Sequence, residues 1–307
     1  MTYHQPVLLN EVNEFLDVTE GMKIIDCTLG DGGHTVEFLK KGAFVLGIDY
    51  DSNSLETALE RISSLGLSDR FTGVSGNFKD IFALATANGF VNVDGILYDL
   101  GYSSSQLENT ERGISFLSDS PLDMRIDQNM GVTAADLVNT LSEKQLAQLF
   151  REYGEEHLAK RFSETIVRGR SLKKIQTTKQ LADLLVSEAS SGYDSGKSHP
   201  AMRVFQALRI VVNDELGNLK NSLPQAVQLL KLPGGRMAII SFHSLEDREV
   251  KNFGHEFARP DESESKSFYL ESLVKKPITP SEDEIKANRR SRSAKMRVFE
   301  LKLINAQ

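Results

Sequence analysis

The stretch that joins the first predicted strand to the first predicted helix reads Asp26-Cys27-Thr28-Leu29-Gly30-Asp31-Gly32-Gly33-His34. The apolar run Met22–Leu29 leads into these glycines and is typical of a buried strand. Helix-like spacing of apolar residues follows through Val36 and Leu39. Glycines at such a junction let the backbone turn tightly and approach a ligand closely. The stretch therefore predicts an α/β fold with a ligand site at the carboxyl end of its first strand.

Strand and helix candidates alternate through the first third of the chain. Further apolar runs predict strands at Phe44–Tyr50, Phe71–Asn77 and Val93–Leu100. Helices are predicted between them, one capped by Asp51-Ser52-Asn53 and one over Phe78–Ala87. Alternation with short links is typical of a parallel sheet with helices on both faces. This part of the chain therefore predicts an α/β, Rossmann-like fold.

The middle of the chain has a different pattern, because no strong strand candidate lies between about residue 109 and residue 213. Apolar periodicity predicts helices over Ala134–Thr140, Glu143–Tyr153, Glu156–Arg168 and Lys179–Ala189, with N-caps at Thr133, Ser142 and Thr178. A long amphipathic helix is predicted next, through Met202, Phe205, Leu208, Val212 and Leu216. Strand character returns at Gly234–His243, Ser267–Val274 and Lys295–Ile304, the last two as an antiparallel edge hairpin.

The simplest architecture is one domain interrupted by an insertion. Residues 1–108 and 214–307 are predicted to form a Rossmann-like α/β domain that binds the cofactor. Residues 109–213 are predicted to form an inserted all-helical domain, to which we assign substrate recognition.

Composition limits the classes of protein to which the chain can belong. The 307 residues are 40% hydrophobic and 26% charged, which fits a soluble globular chain. No apolar stretch is long enough to span a membrane, and the first residues lack the pattern of a signal peptide. Cys27 is the only cysteine, and the histidines show no metal-ligand spacing. We therefore expect a cytoplasmic protein without disulfides, membrane contact or a metal site.

The charge distribution bears on a nucleic-acid partner. A net charge of −7 argues weakly against one, because proteins that coat nucleic acid are usually basic. Positive charge is nevertheless concentrated within Lys286–Arg297, which holds six basic residues and no acid. A second basic group lies between Lys160 and Lys174, diluted by acids. A solvated surface is the commoner explanation of any single basic run, so these runs gain weight only beside a catalytic site.

Two cofactors fit the glycine stretch. A dinucleotide site usually has Gly-x-Gly-x-x-Gly, but after Gly30 and Gly32 the third position is Thr35. The stretch also opens with Asp26, and an acid repels a pyrophosphate but favours the ammonium group of a methionine moiety. Asp49, 23 residues further along, can accept hydrogen bonds from both ribose hydroxyls. We therefore expect S-adenosylmethionine, with a nicotinamide-dependent oxidoreductase as the competing interpretation.

A third acid follows the fourth strand candidate, in the stretch Asp99-Leu100-Gly101-Tyr102-Ser103-Ser104-Ser105-Gln106. The end of this strand lies beside that of the first strand in a doubly wound sheet. Asp99 is therefore expected to face the methyl group that is transferred. A carboxylate there can orient either the substrate or the methionine end of the cofactor, which makes Asp99 the candidate catalytic residue.

Together these residues resemble one family closely, the bacterial 16S rRNA cytosine-N4 methyltransferases that act in the decoding centre. The resemblance runs over nearly the whole chain, in blocks that keep their order. The blocks are His4-Gln5-Pro6-Val7-Leu8-Leu9, Gly32-Gly33-His34, Asp99-Leu100-Gly101, Ser103-Ser104, Gln106-Leu107, Arg112-Gly113, Pro121-Leu122-Asp123-Met124-Arg125, His199-Pro200, Phe205-Gln206-Ala207-Leu208-Arg209-Ile210, Ser241-Phe242-His243-Ser244-Leu245-Glu246-Asp247-Arg248 and Arg292-Ser293-Ala294-Lys295. The chain departs from the family's pattern at Tyr102, Ser105 and Asn288-Arg289.

The resemblance implies methyl transfer from S-adenosylmethionine to the exocyclic N4 of a cytosine in the P-site region of 16S rRNA. The partner would then be 16S rRNA in the small ribosomal subunit. The implied cofactor contacts are Gly32, Gly33, His34, Asp49, Phe78, Asp99 and Gln106, with Phe78 against the adenine. The candidate RNA contacts are Asp123, Arg125, His199, Arg203, His243 and Arg292, of which Asp123 and Arg125 can instead form a local ion pair.

Other functions stay open at this point. A noncatalytic RNA-binding assembly factor that keeps the cofactor site as a relic would share these motifs, although the intact acids argue against it. Methylation of a ring carbon would need a cysteine nucleophile. Cys27 lies in the first predicted strand, where we expect an inert core thiol.

Overall fold

The computed structural model describes residues 5–101, 112–128, 131–189, 193, 199–258 and 267–304. Contacts divide the chain into two compact units, residues 1–103 with 216–307 and residues 104–215. The sequence predicts these boundaries at residues 108 and 214. No helix in the described part of the chain is both long and apolar enough to cross a membrane.

The first unit is built on a seven-stranded sheet in the order β3-β2-β1-β4-β5-β7-β6. Its strands are β1 Lys23–Asp26, β2 Phe44–Asp49, β3 Phe71–Ser75, β4 Gly95–Asp99, β5 Arg236–Ser241, β6 Phe268–Ser272 and β7 Lys295–Leu303. The first five are parallel, whereas β7 runs antiparallel to both β5 and β6. This is the Rossmann-like α/β fold expected from the sequence, of the class I methyltransferase type that the resemblance implies. The predicted antiparallel hairpin is present, but only β6 lies at the edge because β7 pairs on both sides.

The described helices of the first unit cover both faces of the sheet. They are α1 Leu9–Phe15, α2 Gly33–Lys40, α3 Ser52–Ser64 and α4 Ile81–Ala87, followed late in the chain by α10 Glu215–Leu229, α11 Ser244–Glu256 and α12 Glu282–Ala287. Successive strand residues such as Ile24 and Ile25 belong to different apolar clusters, one on each face. The strands β1, β2, β4 and β5 are therefore buried on both sides, as a parallel sheet requires, whereas the outer strands β3 and β6 are only partly buried.

The second unit has its own apolar core. Its described helices are α5 Ala134–Thr140, α6 Glu143–Gly154, α7 Ala159–Leu172, α8 Thr178–Glu188 and α9 Ala201–Asn213. Large side chains such as Phe150, Phe162 and Leu208 are fully buried among them. Since this core is continuous within the unit, the inserted segment has the packing of a separate domain.

Local chemistry explains where several of these helices begin. Asp51, Thr133 and Ser142 are N-caps, as their spacing predicts, and each side chain accepts a backbone N–H of the first turn. The prediction of Thr178 as a cap is wrong. Thr177 caps α8 through a capping box, while the Thr178 hydroxyl donates to the Ser118 carbonyl oxygen at 2.6 Å. Sequence spacing does not separate two adjacent threonines.

The long helix predicted through Met202 and Leu216 is two helices. The first, α9, ends at Asn213, and α10 spans Glu215–Leu229. Asp214 between them has φ 49°, in the left-handed region that interrupts a right-handed helix. The apolar period continues through this break, which is why the sequence reads as one helix.

Candidate functional site

Two glycines of the β1–α2 loop are in backbone conformations that other residues rarely adopt. Gly30 has φ 50° and Gly32 has φ 74°. Gly32 is the N-cap of α2, and its N–H donates to the Leu29 carbonyl oxygen at 2.8 Å. The loop thus turns directly from the end of β1 into the helix, which leaves the N-terminal backbone of α2 at the carboxyl edge of the sheet.

Asp49 connects the end of β2 to this loop. Its Oδ2 accepts the Gly30 N–H at 2.8 Å and its Oδ1 accepts the Asp51 N–H at 2.9 Å. The pKa of Asp49 is raised to about 7, mainly by burial. The two hydrogen bonds oppose this shift, whereas the neighbouring charges of Asp51 and Asp26 add to it. Each carboxylate oxygen keeps a second lone pair, so the group can still accept ribose hydroxyls.

Asp26 has a role that the sequence does not reveal. Its side chain is buried, and it accepts hydrogen bonds from the Thr35 hydroxyl at 2.8 Å and the Thr28 N–H at 3.3 Å. Burial raises the pKa of this carboxyl group, and His34 and the two threonines oppose that shift. Asp26 therefore ties the start of α2 to the end of β1. The threonine that breaks the dinucleotide pattern at position 35 is its partner.

His34 and Asp99 form the polar centre of the site. His34 Nε2 lies 3.6 Å from Asp99 Oδ2, and the His34 ring stacks on Phe38. Among the described residues, neither ring nitrogen of His34 nor Oδ1 of Asp99 has a hydrogen-bond partner, although all three atoms are buried. Buried polar atoms normally have partners, so these atoms point to a polar ligand.

The unpartnered atoms fit the methionine end of S-adenosylmethionine. Its ammonium group needs an acceptor, which Asp99 offers, and its carboxylate needs a donor, which a His34 ring nitrogen offers. Asp99 is itself fixed, because its N–H donates to the Thr28 hydroxyl at 2.6 Å. The donor and acceptor set at this edge therefore matches the cofactor.

The remaining candidates for cofactor contact are Phe78 and Gln106. Phe78 is half-buried at the start of a 3-10 turn, Phe78–Asp80, and meets the Tyr98 ring edge-to-face with centroids 5.7 Å apart. Its position after β3 suits a ring that contacts an apolar base. Gln106 lies outside the described residues, as does Tyr102.

The candidate RNA contacts of the first unit are His243 and Arg292, which differ in exposure. His243 is the N-cap of α11, where its Nδ1 accepts the Glu246 N–H and its Nε2 lies 3.1 Å from Glu246 Oε1. Both ring nitrogens thus face Glu246, which gives His243 a structural position. Arg292 is exposed in the 3-10 turn Arg289–Ser293 and has no ion pair with an acid in the described part of the chain.

The other candidates lie in the second unit. Asp123 and Arg125 form a bidentate ion pair, with Oδ1–Nε and Oδ2–Nη2 distances of 2.7 and 2.8 Å. Burial works to raise the pKa of Asp123, but hydrogen bonds from Arg125 outweigh it and hold the pKa below its ordinary value. The local pairing considered for these two residues is thus present.

His199 and Arg203 are held at the start of α9. The His199 ring is exposed and stacks on Phe116 with centroids 4.6 Å apart. The Arg203 guanidinium lies 2.9 Å from His157 Nδ1. An exposed histidine on an aromatic ring is one surface on which a nucleobase can stack.

Comparison with known proteins decides the family. The model of the MraW methylase family matches residues 1–302. The chain belongs to this family. A protein of Carboxydothermus hydrogenoformans named ribosomal RNA small subunit methyltransferase H is 45% identical over 306 residues, which cover 97% of both chains. Proteins of the same name from Symbiobacterium thermophilum and Deinococcus deserti are 43% and 46% identical and cover 96% and 97% of this chain, and 95% and 93% of their own lengths.

Membership of the MraW methylase family confirms the expected reaction class. The chain is an S-adenosylmethionine-dependent methyltransferase, as the glycine stretch and the strand-end acids indicate. The oxidoreductase interpretation is therefore wrong. Its main support, Gly30 followed by Gly32, belongs equally to a loop that binds no pyrophosphate.

The raised pKa of Asp49 predicts how cofactor affinity depends on pH. The ionised carboxylate accepts ribose hydroxyls more strongly than the protonated acid. Affinity for S-adenosylmethionine should therefore rise with pH through about 7, by up to about tenfold per pH unit below that value. Asp49→Asn should bind S-adenosylmethionine about 1.5–3 kcal/mol more weakly than the wild type at alkaline pH. Its affinity should not rise with pH through neutrality. Calorimetric titration with S-adenosylmethionine below and above about pH 7 measures this pH dependence. A wild-type Kd that does not change with pH would contradict the role of Asp49.

Proposed function

We propose that the chain methylates the exocyclic N4 of a cytosine in the P-site region of the decoding centre of 16S rRNA. The observation that carries this proposal is the identity of 45% across 97% of a relative named ribosomal RNA small subunit methyltransferase H. The substrate is then 16S rRNA within the small ribosomal subunit, and the protein acts in the cytoplasm.

The main task of the protein in this reaction is to align the amine nitrogen with the methyl group and the sulfur of the cofactor. The cytosine amine is a poor nucleophile because its lone pair is delocalised into the ring, and the sulfonium of S-adenosylmethionine supplies an electrophilic methyl group. Alignment of reacting atoms can lower such a barrier by about 7–11 kcal/mol. Asp99 can orient the amine, because its unpartnered Oδ1 accepts an N–H while its Oδ2 faces His34. As the nitrogen–methyl bond forms, the methyl–sulfur bond would break and leave a neutral thioether, and the same carboxylate could receive the proton that the nitrogen loses.

The target base must leave its stack to reach this edge of the sheet. A loop or single-stranded RNA segment makes that step easier. We assign recognition of this RNA to the second unit, where His199 stacks on Phe116 and Arg203 contacts His157. Such a surface holds the RNA, while the first unit holds the cofactor.

Nitrogen is a better target than a ring carbon for this site. Carbon methylation of a pyrimidine needs a cysteine nucleophile, and a thiolate is the reactive form. Cys27 is buried with 1% exposure, and burial raises the pKa of its thiol well above the ordinary value. The only cysteine of the chain is thus an inert core thiol, which supports attack by an amine.

The proposal is tested by mass analysis of small-subunit rRNA from cells with and without the protein. A methyl group should be lost from the N4 of one decoding-centre cytosine, and purified protein with S-adenosylmethionine should restore it on isolated subunits. Loss of a methyl group elsewhere would move the target, and an unchanged rRNA mass would contradict the proposal. If the methyl group is lost from cells without the protein but purified protein with S-adenosylmethionine does not restore it, the result would favour the noncatalytic assembly factor.

The exposed basic turn gives a separate prediction about RNA binding. If Arg289 and Arg292 contact phosphates, replacing both with glutamine should weaken the salt dependence of RNA binding. The slope of the logarithm of the binding constant against the logarithm of salt concentration should decrease in magnitude by about 0.7–0.9 for each lost contact. Cofactor affinity and the melting temperature should stay unchanged, since both side chains are exposed. The matched control replaces two other exposed basic residues, Lys40 and Lys41, with glutamine; they lie at the C-terminal end of α2, away from its cofactor end. RNA-binding constants at several salt concentrations measure the slope, and equal slopes for both variants would remove the turn from the RNA surface.

A further inference from the structure

An N-terminal segment lies against the start of α2. Residues 5–8, which we call the N-terminal strap, bring Pro6 beside Gly33. A Cβ atom added to Gly33 would lie 2.5 Å from Pro6 Cγ and 3.3 Å from Pro6 Cδ. Gly33 has an ordinary φ, so its lack of a side chain is explained by this close approach. The strap therefore covers the first turn of the helix whose N-terminus carries the cofactor contacts.

The other side of the N-terminal strap is attached to a distant part of the chain. The Leu8 N–H donates to Glu284 Oε1 at 2.8 Å, and Asn288 Nδ2 donates to the Gln5 carbonyl oxygen at 3.1 Å. Asn288 is buried, and its Oδ1 also accepts the Arg290 N–H. Both of these hydrogen bonds come from α12 or from the residue that follows it, and they hold the two ends of the strap, at Gln5 and Leu8.

The backbone of the strap depends on these anchors. Leu8, the residue before α1, has φ 54°, a left-handed conformation that is unfavourable for leucine. Its apolar side chain cannot accept a backbone N–H of the helix. Val7 and Leu8 are buried in the same apolar cluster as Val36 and Phe38 of α2. A loss of the Glu284 acceptor would leave a partly buried N–H without a partner in this strained segment.

We infer that the N-terminal strap is a support of the cofactor site, and that Glu284 and Asn288 are positioning residues that hold Pro6 against Gly33. Within the part of the chain that the structure describes, the hydrogen bonds of Glu284 and Asn288 given above go to the strap and to Arg290, and not to the cofactor edge of the sheet. They act on Gly32, Gly33 and His34 through the strap, by keeping the first turn of α2 in its binding conformation. Cofactor affinity falls in proportion to the fraction of molecules that leave that conformation. The inference concerns the cofactor site alone and holds whichever RNA is methylated.

The test compares Glu284→Ala with Glu284→Gln and with Glu282→Ala, an exposed glutamate on the same helix. Glu284→Ala should raise the Kd for S-adenosylmethionine by about fivefold, which corresponds to one lost hydrogen bond, while kcat at saturating cofactor stays unchanged. Glu284→Gln keeps an oxygen acceptor for Leu8 and should restore the Kd. Glu282→Ala should bind like the wild type.

A second measurement needs no cofactor. Hydrogen exchange of the cofactor-free protein should become faster in the first turn of α2 in Glu284→Ala and in Asn288→Ala, but not in Glu282→Ala. Pro6→Gly leaves the partners of both anchoring hydrogen bonds in place, removes the ring contact with Gly33 and gives the backbone of the strap more freedom, so it should also raise the Kd. If Glu284→Ala does not fold, Pro6→Gly decides the question. An unchanged Kd and unchanged exchange in Pro6→Gly, or a lower melting temperature alone in Glu284→Ala, would overturn the inference.

Discussion

Replacing Asp99 with alanine should lower the rate of methyl transfer by about 10²–10⁴-fold, the range for loss of a positioned acid–base group. Asp99 Oδ1 is buried without a partner among the described residues, and its Oδ2 faces His34 at 3.6 Å. The side chain therefore makes no contribution to the core that alanine would remove, and the fold should persist. Single-turnover methylation of isolated small subunits measures the rate, with Asp69→Ala, an exposed acid next to β3, as the control.

The same residue allows its two possible roles to be separated. If Asp99 orients the acceptor amine, Asp99→Ala keeps the cofactor Kd, and Asp99→Asn, which retains an oxygen acceptor, recovers part of the rate. If Asp99 binds the cofactor's ammonium group, Kd rises in both variants because the charge is lost. A rate equal to the wild type in Asp99→Ala would show that the carboxylate is not catalytic.

A second large effect is expected from Gly113→Ala in the second unit. A Cβ atom at Gly113 would lie 1.9 Å from the Pro121 carbonyl oxygen, and Gly113 has φ 60°. Backbone atoms on both sides must move, because neither can rotate away as a side chain would. We expect the second unit to lose about 3 kcal/mol or more of stability. Methylation of small subunits should fall with it, whereas cofactor binding by the first unit should persist.

Gly131→Ala is the matched control for this substitution. Gly131 lies in the same unit, and nothing is within 4 Å of the added Cβ atom. Thermal melting, limited proteolysis and calorimetric titration with S-adenosylmethionine give the three readouts. Full methylation by a Gly113→Ala protein whose second unit has melted would refute its assignment to RNA recognition. Simultaneous loss of cofactor binding would show that the cofactor site depends on that unit.

Patterns that are local in sequence predicted most of the sheet. Hydrophobic runs located all seven strands within a few residues, because burial on both faces demands continuous apolar stretches. Helix starts at Ser52, Ala134 and Glu143 followed from the polar residue in front of each. The helices α1, α11 and α12 were not predicted. In α1, which has seven residues, Val12 is the buried residue, and charged residues dominate the exposed faces of α11 and α12.

The candidate site was predicted less evenly than the sheet. The position of Asp49 and Asp99 at one edge of the sheet was predicted correctly, because parallel strands end there and topology alone brings an acid after each strand to that edge. Asp26 shares that position in sequence, yet its carboxylate is used by Thr35 and Thr28 inside the loop. No spacing rule tells a carboxylate that faces a ligand from one that ties a loop, because the difference is a side-chain rotation.

The sequence by itself determined the reaction class, the cofactor and the order of the elements, because these depend on residues near one another along the chain. Only the tertiary structure decided which polar atoms stay unpartnered at His34 and Asp99. It alone placed Glu284 beside Leu8, 276 positions earlier, and Pro6 against Gly33. Contacts between distant positions leave no periodic signal, since they arise when strand order and helix packing bring separate surfaces together.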